Sequence, residues 1–124
     1  MVALMRVAKE LALLRLNKIR RKKKMVKQVS SKEFKEEKGV VLVDFYADWC
    51  GPCRMISPVL EDLSEEIQGV KFVKINVDQE RDFSIANRVS SIPTIVLFKD
   101  GVELDRRIGF ASKEGFKSWI NGLI

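Results

Sequence analysis

Both cysteines of the chain, Cys50 and Cys53, lie three residues apart in the run WCGPC. A disulfide stabilises a fold mainly by closing a long loop of the unfolded chain, and a bridge between these two residues closes almost none. The chain contains no histidine, so the cysteines can form neither a zinc site of two cysteines and two histidines nor a cysteine–histidine nucleophilic pair. The pair is therefore a poor structural staple, and its chemistry proceeds without imidazole.

The composition is that of one ordinary globular domain with room for an appendage. The chain has 124 residues, of which 46% are hydrophobic and 32% charged, which is enough for a buried core. Seven Gly and three Pro exclude a low-complexity or collagen-like chain. No apolar run approaches the about 18 residues of a membrane-spanning helix. We therefore expect a soluble domain, and two cysteines are too few for a secreted disulfide scaffold.

The charge is distributed unevenly along the chain. Residues 1–27 hold ten Lys and Arg against one acid, Glu10, whereas residues 28–124 hold thirteen Lys and Arg against sixteen Asp and Glu. The net charge is thus +9 in the first segment and −3 in the second. This change of sign predicts a basic extension, residues 1–24, on a mildly acidic domain, residues 25–124.

The cysteines stand between a strand pattern and a helix pattern. Residues 40–47, VVLVDFYA, form a nearly unbroken apolar run, which predicts a strand buried on both faces in the middle of a sheet. Asp44 is the one charged residue in it. Residues 54–68 carry apolar side chains at helical spacing with acids on the other side, which predicts an amphipathic helix. Its apolar set is Met55, Ile56, Val59, Leu60, Leu63 and Ile67.

The spacing of apolar residues and the turn signals predict the remaining elements. They are strands over residues 70–78, 94–98 and 102–109, a short helix over 80–89, and a turn at Lys99-Asp100-Gly101. Ser112 is predicted to cap a last helix that ends near Leu123, and Ser30 with Glu33 forms a capping box for a short first helix. The order of elements predicts an α/β fold whose mixed sheet has parallel strands first and an antiparallel hairpin after them.

Cys50 and Cys53 fall where the predicted strand gives way to the predicted helix. Backbone N–H groups and the positive end of the helix dipole stabilise an anion there, which favours the Cys50 thiolate. Gly51 allows a tight turn, and Pro52 suits the first helical turn because it has no N–H to leave unpaired. Two sulfurs at this spacing can join as a short disulfide or separate as a dithiol. We interpret the pair as a redox switch.

Several runs together resemble the thioredoxin family: VDFYADWCGPCRMISPVLEDL, KINVDQ, SIPTIVLFKDG and IGF. A lone CxxC is weak evidence because zinc and haem sites also use it, but WCGPC after a buried VDF strand, with Ile-Pro-Thr further on, is specific. The resemblance covers residues 25–124. It implies a thioredoxin fold, with a central mixed sheet flanked by helices, and protein-disulfide reduction as the activity.

The resemblance also assigns catalytic roles. Cys50 is the attacking thiolate and Cys53 the buried thiol that resolves the mixed disulfide. Asp44 is the proton acceptor for Cys53, the alternative being a core carboxylate satisfied by water. Lys74 is the charge that tunes Asp44, the alternative being a solvated lysine on an edge strand. The resemblance implies no metal, and no cofactor beyond the redox-active disulfide.

Substrate contacts follow from the same resemblance. Trp49 shields the disulfide and contacts substrate, although ordinary packing is the alternative. Pro93 is cis in the family and faces the cysteines, which frees the backbone of Ile92 to pair with an extended substrate segment. Gly109 completes this apolar groove, and Gly51 and Pro52 lie beside it.

The chain departs from the family pattern at few positions. Tyr46 stands where many members have Trp, and Phe110 follows Gly109 where a smaller residue is more usual, which narrows the groove. The family also places a kinking proline, here Pro58, inside the helix after the cysteines.

The dipeptide between the cysteines indicates the direction of the reaction. Gly-Pro is the version found in reductants, whereas a histidine there would make the pair a stronger oxidant. We therefore predict a cytoplasmic monomer that reduces protein disulfides and is recharged by thioredoxin reductase or an equivalent electron donor. The alternative is a non-catalytic module that uses the same surface to scaffold a partner protein.

The basic extension has no counterpart in thioredoxins, and three interpretations of it remain. In the first, translation begins at Met25 and the preceding residues are a wrongly assigned start or a tail. In the second, the extension is a basic helix that makes weak contact with an anionic membrane surface. In the third, it is a nucleic-acid tether or a targeting peptide. The block RRKKK at 20–24 has no aromatic residues to stack bases. We therefore expect no specific nucleic-acid partner.

Overall fold

The computed structural model describes residues 26–124, which form five strands and four helices. In chain order they are β1 (Lys27–Gln28), α1 (Ser31–Lys35), β2 (Val40–Tyr46), α2 (Gly51–Glu66), β3 (Val70–Asn76), α3 (Arg81–Ala86), β4 (Thr94–Lys99), β5 (Val102–Ile108) and α4 (Lys113–Leu123). Apart from β1, each of these elements was predicted from the sequence. None of the helices within residues 26–124 has the length and apolarity needed to span a bilayer.

The five strands form one mixed sheet in the order β1-β3-β2-β4-β5. β1 and β2 pair with β3 in parallel, β4 is antiparallel to β2, and β5 is antiparallel to β4. The predicted α/β class and mixed sheet are confirmed. The sequence missed β1 because two residues are too few to show a period, and only pairing with β3 makes them a strand.

β2 is the central strand and is buried on both faces, as its apolar run predicts. Alternate side chains of a strand point to opposite faces of the sheet. Leu42 packs on one face with apolar residues of α2 and α4. Val41, Val43 and Phe45 pack on the other face against Phe34 of α1 and other apolar residues. Asp44 has the same parity as Leu42 and therefore points toward α2.

Side-chain caps set the start of two helices. Ser30 Oγ accepts from the backbone N–H of Glu33, whose carboxylate accepts in return from the N–H of Ser30, so the predicted capping box begins α1. Ser112 Oγ accepts from the N–H of Gly115 and begins α4 in the same way. Both caps satisfy donors that have no partner inside the helix.

The apolar face of α2 is narrower than the sequence indicated. Ile56, Leu60 and Leu63 are buried against the sheet, but Met55 is 63% exposed. Each residue turns the helix by about 100°, so Met55 lies at the edge of the apolar stripe that Ile56 centres. Pro58 lies inside α2, as the family resemblance implied.

Candidate active site

The two cysteines lie where β2 leads into α2. Cys50 is the N-cap of α2 and Cys53 is in its first turn, and their sulfurs are joined in a disulfide with the two Cα atoms 5.3 Å apart. Each side chain is only 3% exposed, so exposure does not distinguish them. The two cysteines differ instead in their positions on α2, because Cys50 lies at its N-terminus and Cys53 lies inside it.

The sulfur of Cys50 receives a hydrogen bond from the helix that it caps. The backbone N–H of Cys53 donates to Cys50 Sγ at 3.2 Å. At this end of a helix, free N–H groups and the helix dipole stabilise a negative charge. A thiolate released at Cys50 therefore has a donor already aimed at it.

Gly51 and Pro52 form the exposed first turn of α2. Pro occupies a first-turn position of the helix, as predicted. Gly51 does not have the positive φ of a glycine-dependent turn, and a Cβ built there would meet nothing within 4 Å. Neither the backbone nor the surrounding space therefore requires a glycine at this position.

Two distant segments converge on the cysteines. The Ile92–Pro93 peptide bond is cis, and the backbone oxygen of Ile92 lies 3.9 Å from Cys50 Sγ. Gly109, with φ +87°, donates its N–H to the carbonyl of Pro93 at 2.8 Å. The structure thus brings Ile92, Pro93 and Gly109 together at one side of the disulfide, and Phe110, next to Gly109, is exposed.

Trp49 stands outside the core, directly before Cys50. Its side chain is 69% exposed, so the packing alternative is wrong. Its indole N–H donates to Oδ2 of Asp78 at 2.8 Å. The sequence did not single out Asp78, although its position at the end of the strand pattern over residues 70–78 places it at the same end of the parallel sheet as the loop after β2. Asp78 fixes the orientation of an exposed aromatic ring beside the disulfide.

Asp44 is buried below α2, with only 2% of its surface exposed. Within the described part of the chain, its Oδ1 atom has no hydrogen-bond partner. Burial raises the pKa of Asp44 from 3.8 to about 7, and the positive charge of Lys74 opposes this rise. Asp44 can therefore bind or release a proton near neutral pH.

Lys74 occupies the position on β3 directly across from Asp44 on β2. β1 covers the other side of β3, where Gln28 is the partner of Lys74. The alternative of a lysine on an edge strand is therefore wrong. The Lys74 ammonium lies 5.1 Å from the centroid of the Tyr46 ring, a distance at which a cation–π contact forms.

The whole arrangement resembles known proteins in sequence and in structure. The sequence model of the thioredoxin family matches residues 21–122. A thioredoxin from Chlamydia pneumoniae is 48% identical over 99 residues, which cover 78% of this chain and 97% of that protein. A thioredoxin from Rickettsia conorii is 45% identical over 91 residues, which cover 73% of this chain and 87% of that protein.

The chain belongs to the thioredoxin family. A solved structure of a mutant thioredoxin from Halobacterium salinarum matches with a TM-score of 0.74 and 36% identity, covering 79% of this chain and 89% of that one. The predicted thioredoxin fold is confirmed. The chain is a thiol-disulfide oxidoreductase that acts as a protein-disulfide reductase, and its redox group is the Cys50–Cys53 disulfide. The named relatives favour this enzyme over a non-catalytic module.

Proposed function

We propose that Cys50 is the nucleophile and Cys53 the resolving thiol of this reductase. The Cys50 thiolate attacks one sulfur of a substrate disulfide, so a Cys50–substrate disulfide forms and the other substrate sulfur leaves as a thiolate. Cys53 then loses its proton and attacks Cys50 Sγ, which releases the second substrate thiol and forms the Cys50–Cys53 disulfide. Two electrons pass from the dithiol to the substrate. The observation that carries this order is the N–H of Cys53 aimed at Cys50 Sγ.

Asp44 accepts the proton that Cys53 loses. It lies under the helix that carries Cys53, and its raised pKa of about 7 makes it a base that can take a proton at neutral pH. Lys74, across from it, keeps the pKa from rising further, since a nearby positive charge favours the ionised carboxylate.

The substrate lies along the surface formed by the cis-proline loop and the exposed first turn of α2. Ile92 offers its backbone to an extended substrate segment, as in strand addition. Pro93 and Gly109 form the floor of this groove, Gly51 and Pro52 form its rim, and Trp49 covers the reacting sulfurs. The 3.9 Å approach of the Ile92 oxygen to Cys50 Sγ supports this arrangement, because a substrate backbone paired with Ile92 would lie beside the nucleophile.

The direction of electron flow and the partners follow from the same site. Gly-Pro between the cysteines and the lack of histidine in the chain favour reduction over oxidation of substrates. The partners are disulfide-containing proteins and a reductase, thioredoxin reductase or an equivalent donor, that returns the disulfide to the dithiol. The chain acts as a monomer in the cytoplasm, where such a donor keeps dithiols reduced.

The catalytic domain comprises residues 25–124, and the basic extension, residues 1–24, affects only where the protein is located. The extension lies outside the described residues. Every residue assigned above follows Met25, and the change in net charge falls close to it. The Lys and Arg residues of the extension suit weak contact with an anionic membrane surface.

The decisive experiment combines turnover with trapping. The full chain should reduce insulin disulfides, and Cys53→Ser should accumulate covalent mixed disulfides with substrate, whereas Cys50→Ser should abolish turnover without trapping. Trapping by both variants alike would show that the nucleophile is misassigned. Identification of the trapped proteins would name the substrates.

A further inference from the structure

One carboxyl outside the assigned site, that of Glu61 on α2, is turned toward the protein. The residue is partly buried, and its Oε2 atom is buried without a hydrogen-bond partner among residues 26–124. Most acids of an amphipathic helix point to water, since an unpaired buried carboxylate is unfavourable. The positive charge of Lys74 on the sheet and a backbone hydrogen bond from Val26 both lower the pKa of this carboxyl, and both favour its position beside the protein.

Glu61 belongs to the helix face that carries Cys53. Residues four apart lie above one another on an α-helix, so Cys53, Ser57 and Glu61 follow one another along α2. Ser57 Oγ donates to the backbone oxygen of Cys53 at 3.2 Å, within the same line. Cys53 and Glu61 thus lie two turns apart on one face of α2.

The sheet below this face presents Asp44 and Lys74. Leu42 and Phe72 precede them by two residues on β2 and β3, pair with each other, and pack with α2 in one apolar cluster. Side chains two residues apart in a strand point to the same face. Asp44 and Lys74 therefore point toward α2 as well.

Lys74 is the positive charge that acts on both acids. It opposes the effect of burial, which raises the pKa of Asp44 and of Glu61. In the part of the chain that the structure describes, the lysine nevertheless forms an ion pair with neither carboxyl. Its ammonium lies over the Tyr46 ring instead. One lysine thus contacts an aromatic ring while its charge acts on two carboxyls with which it forms no ion pair.

We propose that Glu61 is a positioning residue that holds the Lys74 ammonium back from Asp44, so that Asp44 remains able to accept a proton from Cys53. The inference rests on the proposed role of Asp44 as that acceptor. An ammonium in direct contact with Asp44 would stabilise the carboxylate and weaken it as a base. Glu61 provides a competing negative charge on the helix, and the Tyr46 ring adds a second attraction for the lysine.

Several other groups also influence the pKa of Glu61. Asp62 and Glu65, on α2, raise the pKa of Glu61, and the backbone N–H of Val26 lowers it. On β2, Tyr46 also lies within range of Asp44: burial raises the pKa of Tyr46, and the negative charges of Asp48 and Asp44 add to the rise. The residues that share this face from β4 and α4 are apolar: Ile95, Leu97, Phe116, Trp119 and Ile120.

The test is the pKa of Asp44 measured by carbon NMR of labelled aspartate in the full-length oxidised protein. In this form the cysteines are joined and no thiol titrates beside Asp44. Glu61→Gln keeps the size of the side chain but removes its charge, so Lys74 should approach Asp44 and lower its pKa by about half a unit to one unit. Glu65→Gln removes the same charge one turn farther along α2 and should have little effect.

A second background separates the lysine from a direct effect of the Glu61 charge. Lys74→Met should raise the pKa of Asp44, and adding Glu61→Gln to it should cause no downward shift. The proposal is overturned if Glu61→Gln leaves the pKa of Asp44 unchanged, if Glu65→Gln shifts it equally, or if the shift persists without Lys74.

Turnover is measured separately, so that this proposal and the role of Asp44 can fail independently. With Glu61→Gln, the acidic limb of the insulin-reduction rate should move to lower pH together with the pKa of Asp44. A shifted pKa with an unmoved limb would support the placement of Lys74 by Glu61 and would refute Asp44 as the proton acceptor.

Discussion

The indole N–H of Trp49 and the Oδ2 atom of Asp78 are joined by a 2.8 Å hydrogen bond between residues 29 positions apart in the chain. The bond connects the loop after β2 with the turn after β3 and holds an exposed aromatic ring beside the disulfide. An exposed side chain has many accessible rotamers, so a hydrogen bond to one fixed acceptor restricts the Trp49 ring considerably.

Removal of this bond should therefore slow the reaction without unfolding the protein. We expect Asp78→Ala to lower kcat/KM for insulin reduction by about three- to tenfold, because that is the effect of losing one hydrogen bond. Asp78→Asn retains an acceptor oxygen and should lose less. In a Trp49→Phe background, which lacks the indole N–H, Asp78→Ala should have little further effect; an undiminished effect there would show that Asp78 acts on something other than Trp49.

The two thiols of the reduced protein should differ in reactivity. Cys50 caps α2, and its sulfur accepts a hydrogen bond from the N–H of Cys53. We therefore expect iodoacetamide to alkylate Cys50 at least about tenfold faster than Cys53 near neutral pH. Mass spectrometry of peptides after timed quenching measures both rates in one sample. Equal rates would contradict the assignment of the nucleophile.

Asp44 should reduce stability in a way that depends on pH. The pKa of Asp44 is raised from 3.8 in the unfolded chain to about 7 in the folded one, so the folded state binds the proton more tightly and the free energy of unfolding falls as pH rises through that interval. Asp44→Asn removes this effect. Its gain in stability should be larger at pH 8 than at pH 5 by about 2–3 kcal/mol. Urea unfolding of both proteins at the two pH values measures the difference, and an equal gain at both would contradict the raised pKa.

The same substitution should slow turnover most where the thiol ionises least. Without an acceptor, Cys53 must lose its proton to water, so Asp44→Asn should lower the rate of mixed-disulfide resolution by at least about tenfold near pH 6, with a smaller loss near pH 8. Stopped-flow measurement of resolution isolates this step from substrate attack. If Asp44→Asn leaves the rate of resolution unchanged from pH 6 to pH 8, Asp44 is a core carboxylate without a role in catalysis.

Removal of the basic extension should leave catalysis intact. We expect residues 25–124 alone to reduce insulin disulfides at the rate of the full chain, because every proposed site residue lies in this segment. Binding to anionic vesicles should fall on truncation and weaken with salt in the full chain, since each Lys or Arg near the surface contributes up to about 1 kcal/mol. Equal vesicle binding would dismiss the membrane interpretation, and a large loss of turnover would place the domain boundary elsewhere.

The sequence by itself determined the features that depend on neighbouring residues. The unbroken apolar run of β2 indicates a buried central strand, the spacing in α2 indicates a helix packed on it, and the serines at 30 and 112 mark helix starts. Asp44 was recognisable because a carboxylate within such a run is unfavourable unless it is used. The cis bond at Pro93 came from the family resemblance, since nothing in local chemistry distinguishes it from an ordinary trans proline.

Only the tertiary structure decided which distant residues meet. Strand order places Lys74 inside the sheet and across from Asp44, and it brings Ile92 and Gly109 to the cysteines. The bond from Trp49 to Asp78 and the inward turn of Glu61 depend on how loops and a helix settle over that sheet. Such contacts leave no periodic signal, because burial, charge and hydrogen bonding between them arise from sheet register and helix packing and not from spacing along the chain.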